Sequence, residues 1–305
     1  MLKQSRQDYT FWVKLASTSA VVAALIMIII KVIAWRLTDS ASILATLADS
    51  IFDIAASTLN FFVIRYALIP ADDDHRFGHG KAESLAGLLQ AGFVIGSAIL
   101  LFLHSLSRLS SPKPIQNAEF GIFAILLTIG ITFALVAVQH YALRRAHSVA
   151  IKADSLHYKG DLLMNLGVLF ALVASPWGFL TLDAWIAMAI AGYLLFGALQ
   201  IGRESLNSLM DKELPSDKHD AFLDIAKRVE GVMGVHDLRT RQSGGTIFIQ
   251  LHLELDDNLT LIQAHNIGDR VEANLLAAEP NADILVHLDP ISVVGQKRDP
   301  VKFHN

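Results

Sequence analysis

Apolar residues run through the first two thirds of the chain in six long blocks, roughly 13 to 36, 41 to 66, 84 to 108, 118 to 142, 150 to 174 and 181 to 205. Each reaches the ~20 mostly apolar residues that a membrane-crossing helix needs, so the pattern predicts six transmembrane helices. The apolar run of the first block is preceded by Lys3, Arg6 and Lys14, which outwardly resembles a secretory signal. Its run from Leu15 to Trp35 is longer than a signal core and further blocks follow, so it reads as a retained first helix.

After Met210 the period of the pattern changes. Asp211-Lys212-Glu213-Leu214-Pro215 closes the apolar region, and Ser216 to Val229 reads as an amphipathic helix with Ser216 as its cap. Alternating strands follow over Gly234 to Gln242 and Thr246 to Asp256, joined at Ser243-Gly244-Gly245. A helix from Thr260 to Leu276 and a strand from Ala282 to Ile291 complete an α-β-β-α-β order. The expected fold is thus an α-helical membrane protein with six transmembrane helices over 1–210, followed by a small α+β domain over 211–294. The tail, 295–305, is expected to be disordered.

Six crossings put both termini on one side, and the positive charges choose which. The N-terminal arm, second loop and fourth loop with their flanks hold Lys3, Arg6, Lys14, Arg65, Arg76, Lys81, Arg144, Arg145 and Lys152. The alternate loops hold only Arg36, Arg108 and Lys113, so both termini are placed in the cytoplasm.

Composition agrees with a membrane protein: 53% of residues are hydrophobic and only 18% charged, against about a quarter charged in soluble domains. The net charge of -4 and the lack of a basic block argue against nucleic acid as a partner. Cysteine is absent, so any metal must be held by histidine and carboxylate.

Two such sets sit inside the apolar blocks. Asp49 and Asp53 are four apart in the second block, and His157 and Asp161 are four apart in the fifth; residues four apart share a helix face. An ionised Asp at the centre of a membrane helix costs roughly 2.5 to 3.5 kcal/mol, so three of them call for a compensating partner, and a divalent cation supplies one. Counted from the cytoplasmic ends of their helices, Asp53 and Asp161 differ in depth by only ~3 Å. The plainer reading is that each Asp caps a helix or pairs with a lysine such as Lys159.

The second loop offers Asp72, His75 and His79 among glycines, which reads either as an exposed metal site or as a solvated polar turn. In the α+β domain, His252 falls on the strand face opposite Ile249, Leu251, Leu253 and Leu255, while His287 and Asp289 share a face. With His236 and His265 they are enough ligands for one or two Zn²⁺-type ions. Gly92 and Gly96 form a G-x-x-x-G suited to close helix approach. Asn60, Gln90 and Asn165 are expected to satisfy one another or the backbone.

Taken together, Asp49-x-x-x-Asp53, His157-x-x-x-Asp161, Phe77-Gly78-His79-Gly80-Lys81-Ala82-Glu83 and the histidine-bearing α+β domain closely resemble the cation diffusion facilitator family, in its bacterial zinc and ferrous-iron efflux antiporters of the YiiP type. The resemblance covers nearly the whole chain. It implies a transport site at Asp49, Asp53, His157 and Asp161, a loop site at Asp72, His75 and His79, and a binuclear site at His236, His252, His265, His287 and Asp289 in a metallochaperone-like domain. It further implies a homodimer in a bacterial inner membrane, with Lys81 and Asp211 in a charge interlock near the membrane surface.

The donor set suits Zn²⁺ and tolerates Cd²⁺ or Fe²⁺, with Mg²⁺ a poorer match. Because metal needs neutral imidazole and ionised carboxylate, protons compete with it for the same atoms, which is the basis of exchange. The expected function is export of cytoplasmic metal against entering protons by alternating access, with no enzymatic activity. The alternatives are a membrane metal sensor without transport and an intramembrane metal-dependent hydrolase. The hydrolase reading lacks an H-E-x-x-H and an open coordination position.

Overall fold

The computed structural model describes residues 2–38, 41–110, 118–174 and 181–294; within these, the side chains of 2–6, 37–38, 41–46, 48–49, 52, 108, 110, 118–124, 171–174 and 183 lie outside the described residues. The tail expected to be disordered, 295–305, also lies outside them. Contacts divide the chain into two units, one comprising Asp8–Leu209 and the other built on the elements after Met210.

The first unit holds six helices: α1 (Leu2–Thr38), α2 (Ala41–Ala67), α3 (Lys81–Ser110), α4 (Ala118–Leu143), α5 (Val149–Ala174) and α6 (Leu182–Leu209). Among the described residues, α1, α3, α4 and α6 are long and apolar enough to cross a membrane. The other two, α2 and α5, span 27 and 26 residues and so reach about 40 Å at 1.5 Å per residue. They are the helices that carry Asp49, Asp53, Asp154, His157 and Asp161.

Close approach between α5 and α6 depends on two glycines used reciprocally. A Cβ at Gly160 would lie 2.8 Å from Leu194, and one at Gly197 would lie 2.9 Å from Leu156, so each helix offers a notch to the other's leucine. The G-x-x-x-G at Gly92 and Gly96 does not serve this purpose within the chain: a Cβ at either would meet open space. Nor are the amides paired as the sequence suggests. Asn60 Oδ1 and Gln90 Nε2 are buried without a partner and line a cavity of about 340 Å³ with Ala55, Val63 and Phe93.

One buried carboxylate ties three helices together. Glu83, in the first turn of α3, accepts from the Tyr9 hydroxyl of α1 at 2.6 Å. It also takes hydrogen bonds from the Ser148 side chain and from the backbone N–H groups of Val149 and Ala150. These are the unpaired donors at the start of α5, where an anion is favoured by the helix dipole.

The second unit comprises α7 (Ser216–Lys227), β1 (Gly234–Ser243), β2 (Thr246–Leu255), α8 (Leu261–Ala278), β3 (Ala282–Pro290) and the single turn α9 (Ile291–Val294). The strands form one sheet in the order β1-β2-β3, with β1 antiparallel and β3 parallel to β2. Gly244, at φ +56°, makes the two-residue turn between β1 and β2. Ile249, Leu251, Leu253 and Leu255 bury one sheet face against Phe222 and Ala226 of α7 and Ile267, Val271 and Leu275 of α8.

Helix α8 begins as its sequence predicts, with Thr260 and Gln263 forming a capping box. Helix α7 does not. Pro215 occupies the cap position with no side-chain bond, its carbonyl accepting from Lys218 and His219, and Ser216 is already helical. Ile291 likewise starts α9 instead of ending β3.

Candidate metal centres

Helices α2 and α5 bring Asp53, His157 and Asp161 together. His157 Nε2 lies 3.1 Å from Asp53 Oδ1 and 3.5 Å from Asp161 Oδ2. A tetrahedron with Zn–N and Zn–O bonds of ~2.0–2.1 Å has edges of ~3.3–3.4 Å, so these separations are those of ligands sharing one ion. Exposure rises from 13% at His157 through 21% at Asp53 to 38% at Asp161, so the set is sheltered without being sealed. Asp49 belongs one turn before Asp53 on α2, but its side chain lies outside the described residues. Next to His157, the fully buried Tyr158 shares a 2.7 Å hydrogen bond with Ser57 of α2, which pins the two ligand-bearing helices one turn from the ligands.

In the loop after α2, His75 Nδ1 and His79 Nε2 lie 3.5 and 3.4 Å from the two oxygens of Asp72. The loop is built for this. Asp72 Oδ1 accepts from the backbone N–H groups of His75 and Asp74, and Gly78 turns the chain at φ +77°. His79, nearly buried, has Nδ1 3.3 Å from the Ile69 carbonyl. Donation there leaves Nε2 with the lone pair a metal requires.

The backbone N–H of His75, more than any other group, holds the Asp72 carboxyl below the usual carboxylate range. A depressed value means its contribution is complete above the ordinary carboxylate pKa and is lost only as pH falls through the lowered one. Between about pH 7 and 5 this carboxylate therefore stays ionised and adds no pH dependence of its own to metal binding at the loop. In Asp72→Asn, metal binding to the loop weakens while its slope against pH in this window is unchanged; a flatter slope would contradict this.

On the open face of the sheet, opposite the helices, Asp289 is buried and its two oxygens look in different directions. Oδ2 lies 2.7 Å from His252 Nδ1 and 3.6 Å from His236 Nε2, and Oδ1 lies 3.4 Å from His287 Nε2. One carboxylate thus stands between the imidazoles of His236 and His252 on one side and that of His287 on the other. A β-bulge between His236 and Arg239, with Asp237 at φ +49°, aims His236 inward.

Glu254 adjoins this cluster and had no signal in the sequence. Its Oε1 lies 3.0 Å from His236 Nδ1, and donation there leaves Nε2 as the nitrogen open to a metal. Glu254→Gln is expected to lower metal affinity of the second unit about 10-fold in a titration, within the 10–100-fold typical of such supports. An unchanged affinity would exclude that role. His265 is not drawn in: it is exposed on α8, with Nε2 3.5 Å from Asp269. The buried side of that helix is Ile267, Gly268, Val271 and Leu275, and His265 lies off that stripe.

Of the two residues expected to interlock, Lys81 begins α3 and donates to the Leu209 carbonyl at 3.3 Å. Asp211 adopts φ +55° and pairs with Arg241 at 3.3 Å.

Residues 17–210 match the family profile described as cation efflux transmembrane domain, and residues 214–291 match that of the cation efflux protein cytoplasmic domain. The chain belongs to the cation diffusion facilitator, or cation efflux, family. The cation-efflux pump FieF of Yersinia pestis (strain Pestoides F) is 49% identical over 291 residues, 95% of this chain and 97% of the relative. FieF of Yersinia pseudotuberculosis serotype O:3 (strain YPIII) matches to the same extent. Among solved structures, MamM-CTD 215-293 is 28% identical over 25% of this chain and 96% of its own, with a TM-score of 0.24. As a cation diffusion facilitator, the chain is a membrane-embedded exporter of divalent metal cations and not an enzyme, which removes the hydrolase reading.

Proposed function

We propose that this cation diffusion facilitator exports Zn²⁺, with Cd²⁺ and Fe²⁺ as lesser substrates, from a bacterial cytoplasm in exchange for external protons. The carrying observation is His157 Nε2 at 3.1 and 3.5 Å from carboxylates of α2 and α5. Asp49, one turn from Asp53, completes a four-ligand site, and imidazole with carboxylate is a borderline set suited to Zn²⁺. The ion enters from the cytoplasm while His157 is neutral. Helix repacking then opens the site outward, where protons compete for the same atoms and release the ion. Six membrane crossings with both termini in the cytoplasm of an inner-membrane protein give the gradient the required direction.

The loop trio of Asp72, His75 and His79 and the group of His236, His252, His287 and Asp289 hold resident ions with structural or regulatory roles, since they lie outside the membrane path. His265, exposed on α8, stands outside the protomer's own ligand set. The protein works as a homodimer, paired through its cytoplasmic domains and a Lys81–Asp211 interlock near the membrane surface; the cytoplasmic-domain match supports pairing.

The test is Zn²⁺ uptake into inverted vesicles with an imposed pH gradient. Uptake should follow the gradient and vanish when it is collapsed; uptake indifferent to the gradient would refute exchange. For selectivity, His157→Asp trades imidazole for a hard oxygen and should weaken discrimination against Mn²⁺. Unaltered discrimination would count against His157 as a ligand.

A further inference from the structure

A second buried acid stands one turn from the ligands, and the metal reading leaves it without a task. Asp154 on α5 is 1% exposed and Gln139 on α4 is 0% exposed. Gln139 Nε2 donates to Asp154 Oδ2 at 2.7 Å. The other two oxygens, Asp154 Oδ1 and Gln139 Oε1, are both buried and both lack a hydrogen-bond donor.

A carboxylic acid and a primary amide complement each other through two bonds. The amide N–H donates to one acid oxygen, and the acid O–H donates to the amide carbonyl. The first bond is present, and the two orphaned oxygens are the atoms that the second would join. One proton on Asp154 Oδ1 supplies the donor that both lack, whereas its absence leaves two acceptors bare inside the protein.

We infer that Asp154 and Gln139 form a proton-holding acid–amide pair whose proton is displaced when a divalent cation binds at Asp53, His157 and Asp161. Asp154 precedes His157 by three residues and so lies near it on one side of α5. The charged groups acting on it are His157 and Asp161 on its own helix and Asp53 on α2. From α4 it meets the neutral Gln139. Helices α3 and α6 face α5 there through Ala91, Val94, Ala198 and Ile201 against Ala153 and Leu156. The one acid at the start of α3, Glu83, is taken up by the first turn of α5.

A doubly charged ion settling on His157 repels the nearby proton. The O–H bond of Asp154 then breaks heterolytically, the proton passes to cytoplasmic water, and the carboxylate left behind offsets part of the ion's charge. After the ion has left, a proton from the outer side restores the pair. Asp154 is therefore a positioning and proton-carrying group that adds one exchanged proton without being a metal ligand. This rests on the proposed transport site.

The test counts protons released per chain on Zn²⁺ binding to the purified full-length protein, by titration calorimetry in two buffers of different ionisation enthalpy. Asp154→Asn keeps both bonds to Gln139, because its new amide donates where the acid O–H did, so the fold and the number of bound ions are retained. The variant should release about one proton fewer. Equal release with equal Zn²⁺ binding overturns the inference and leaves the transport site standing. If Asp161→Ala binds as many ions as the parent, the transport site itself fails.

A second measurement needs no variant. Infrared difference spectra of the parent should show Zn²⁺ removing the carbonyl band of a neutral carboxylic acid. No such loss would overturn the inference even if Asp154→Asn did not fold.

Discussion

Asp161→Ala lowers Zn²⁺ uptake into inverted vesicles by at least about 100-fold, and Asp53→Ala does the same. Outer supports of a metal site already cost 10–100-fold when removed, and in the proposed site each of these carboxylates is a ligand. Each loss also leaves His157 with a single carboxylate in contact, since its Nε2 touches Asp53 at 3.1 Å and Asp161 at 3.5 Å. Metal bound to the loop and the cytoplasmic domain should be unaffected, which separates loss of the site from loss of the fold. Either variant transporting at the parent's rate would remove that residue from the site.

Glu83→Ala shortens the thermal half-life of the detergent-solubilised protein more than any ligand substitution does. The carboxylate is 4% exposed and serves the Tyr9 hydroxyl, the Ser148 hydroxyl and two backbone N–H groups at the start of α5. A buried donor left without a partner costs about 1–3 kcal/mol. Some of the four regain water, so a net loss of about 3–5 kcal/mol is expected. Glu83→Gln keeps an acceptor and gives up the charge that the helix dipole favours, so it should lose about 1–2 kcal/mol. Heating a membrane protein is rarely reversible, so the readout is the inactivation rate at fixed temperature. A half-life for Glu83→Ala equal to the parent's would mean that α1, α3 and α5 are held together by their apolar contacts alone.

What was legible in the sequence followed from periodicity and spacing. Six apolar blocks became six helices because block length sets helix length, and the strand face of Ile249, Leu251, Leu253 and Leu255 became the core because alternation admits one buried side. Asp53, His157 and Asp161 could be paired across helices since each lies on a face fixed by four-residue spacing. Asp154, three residues before His157, lies on the same side of α5, but its amide partner Gln139 is on another helix and leaves no local spacing to mark it.

Other features had no local signature. That Glu83 caps a helix sixty-odd residues away, or that Glu254 orients His236 across a strand pair, depends on tertiary neighbours. The cap of α7 was misread because Ser216 follows a proline whose carbonyl already serves the first turn. Open space beside Gly92 and Gly96 shows that a small-residue spacing permits close packing without producing it. For His265, composition counted a histidine, but the buried stripe of α8 passes it by.

Everything rests on acidic and imidazole groups from α2 and α5 gathering around one cation. Anomalous scattering at the zinc edge from crystals of the full-length protein grown with Zn²⁺ measures this directly. The account predicts a peak between α2 and α5, about 2.0–2.1 Å from His157 Nε2 and within bonding distance of Asp53 and Asp161. Zinc at the loop and the cytoplasmic sheet with no density beside His157 would contradict it.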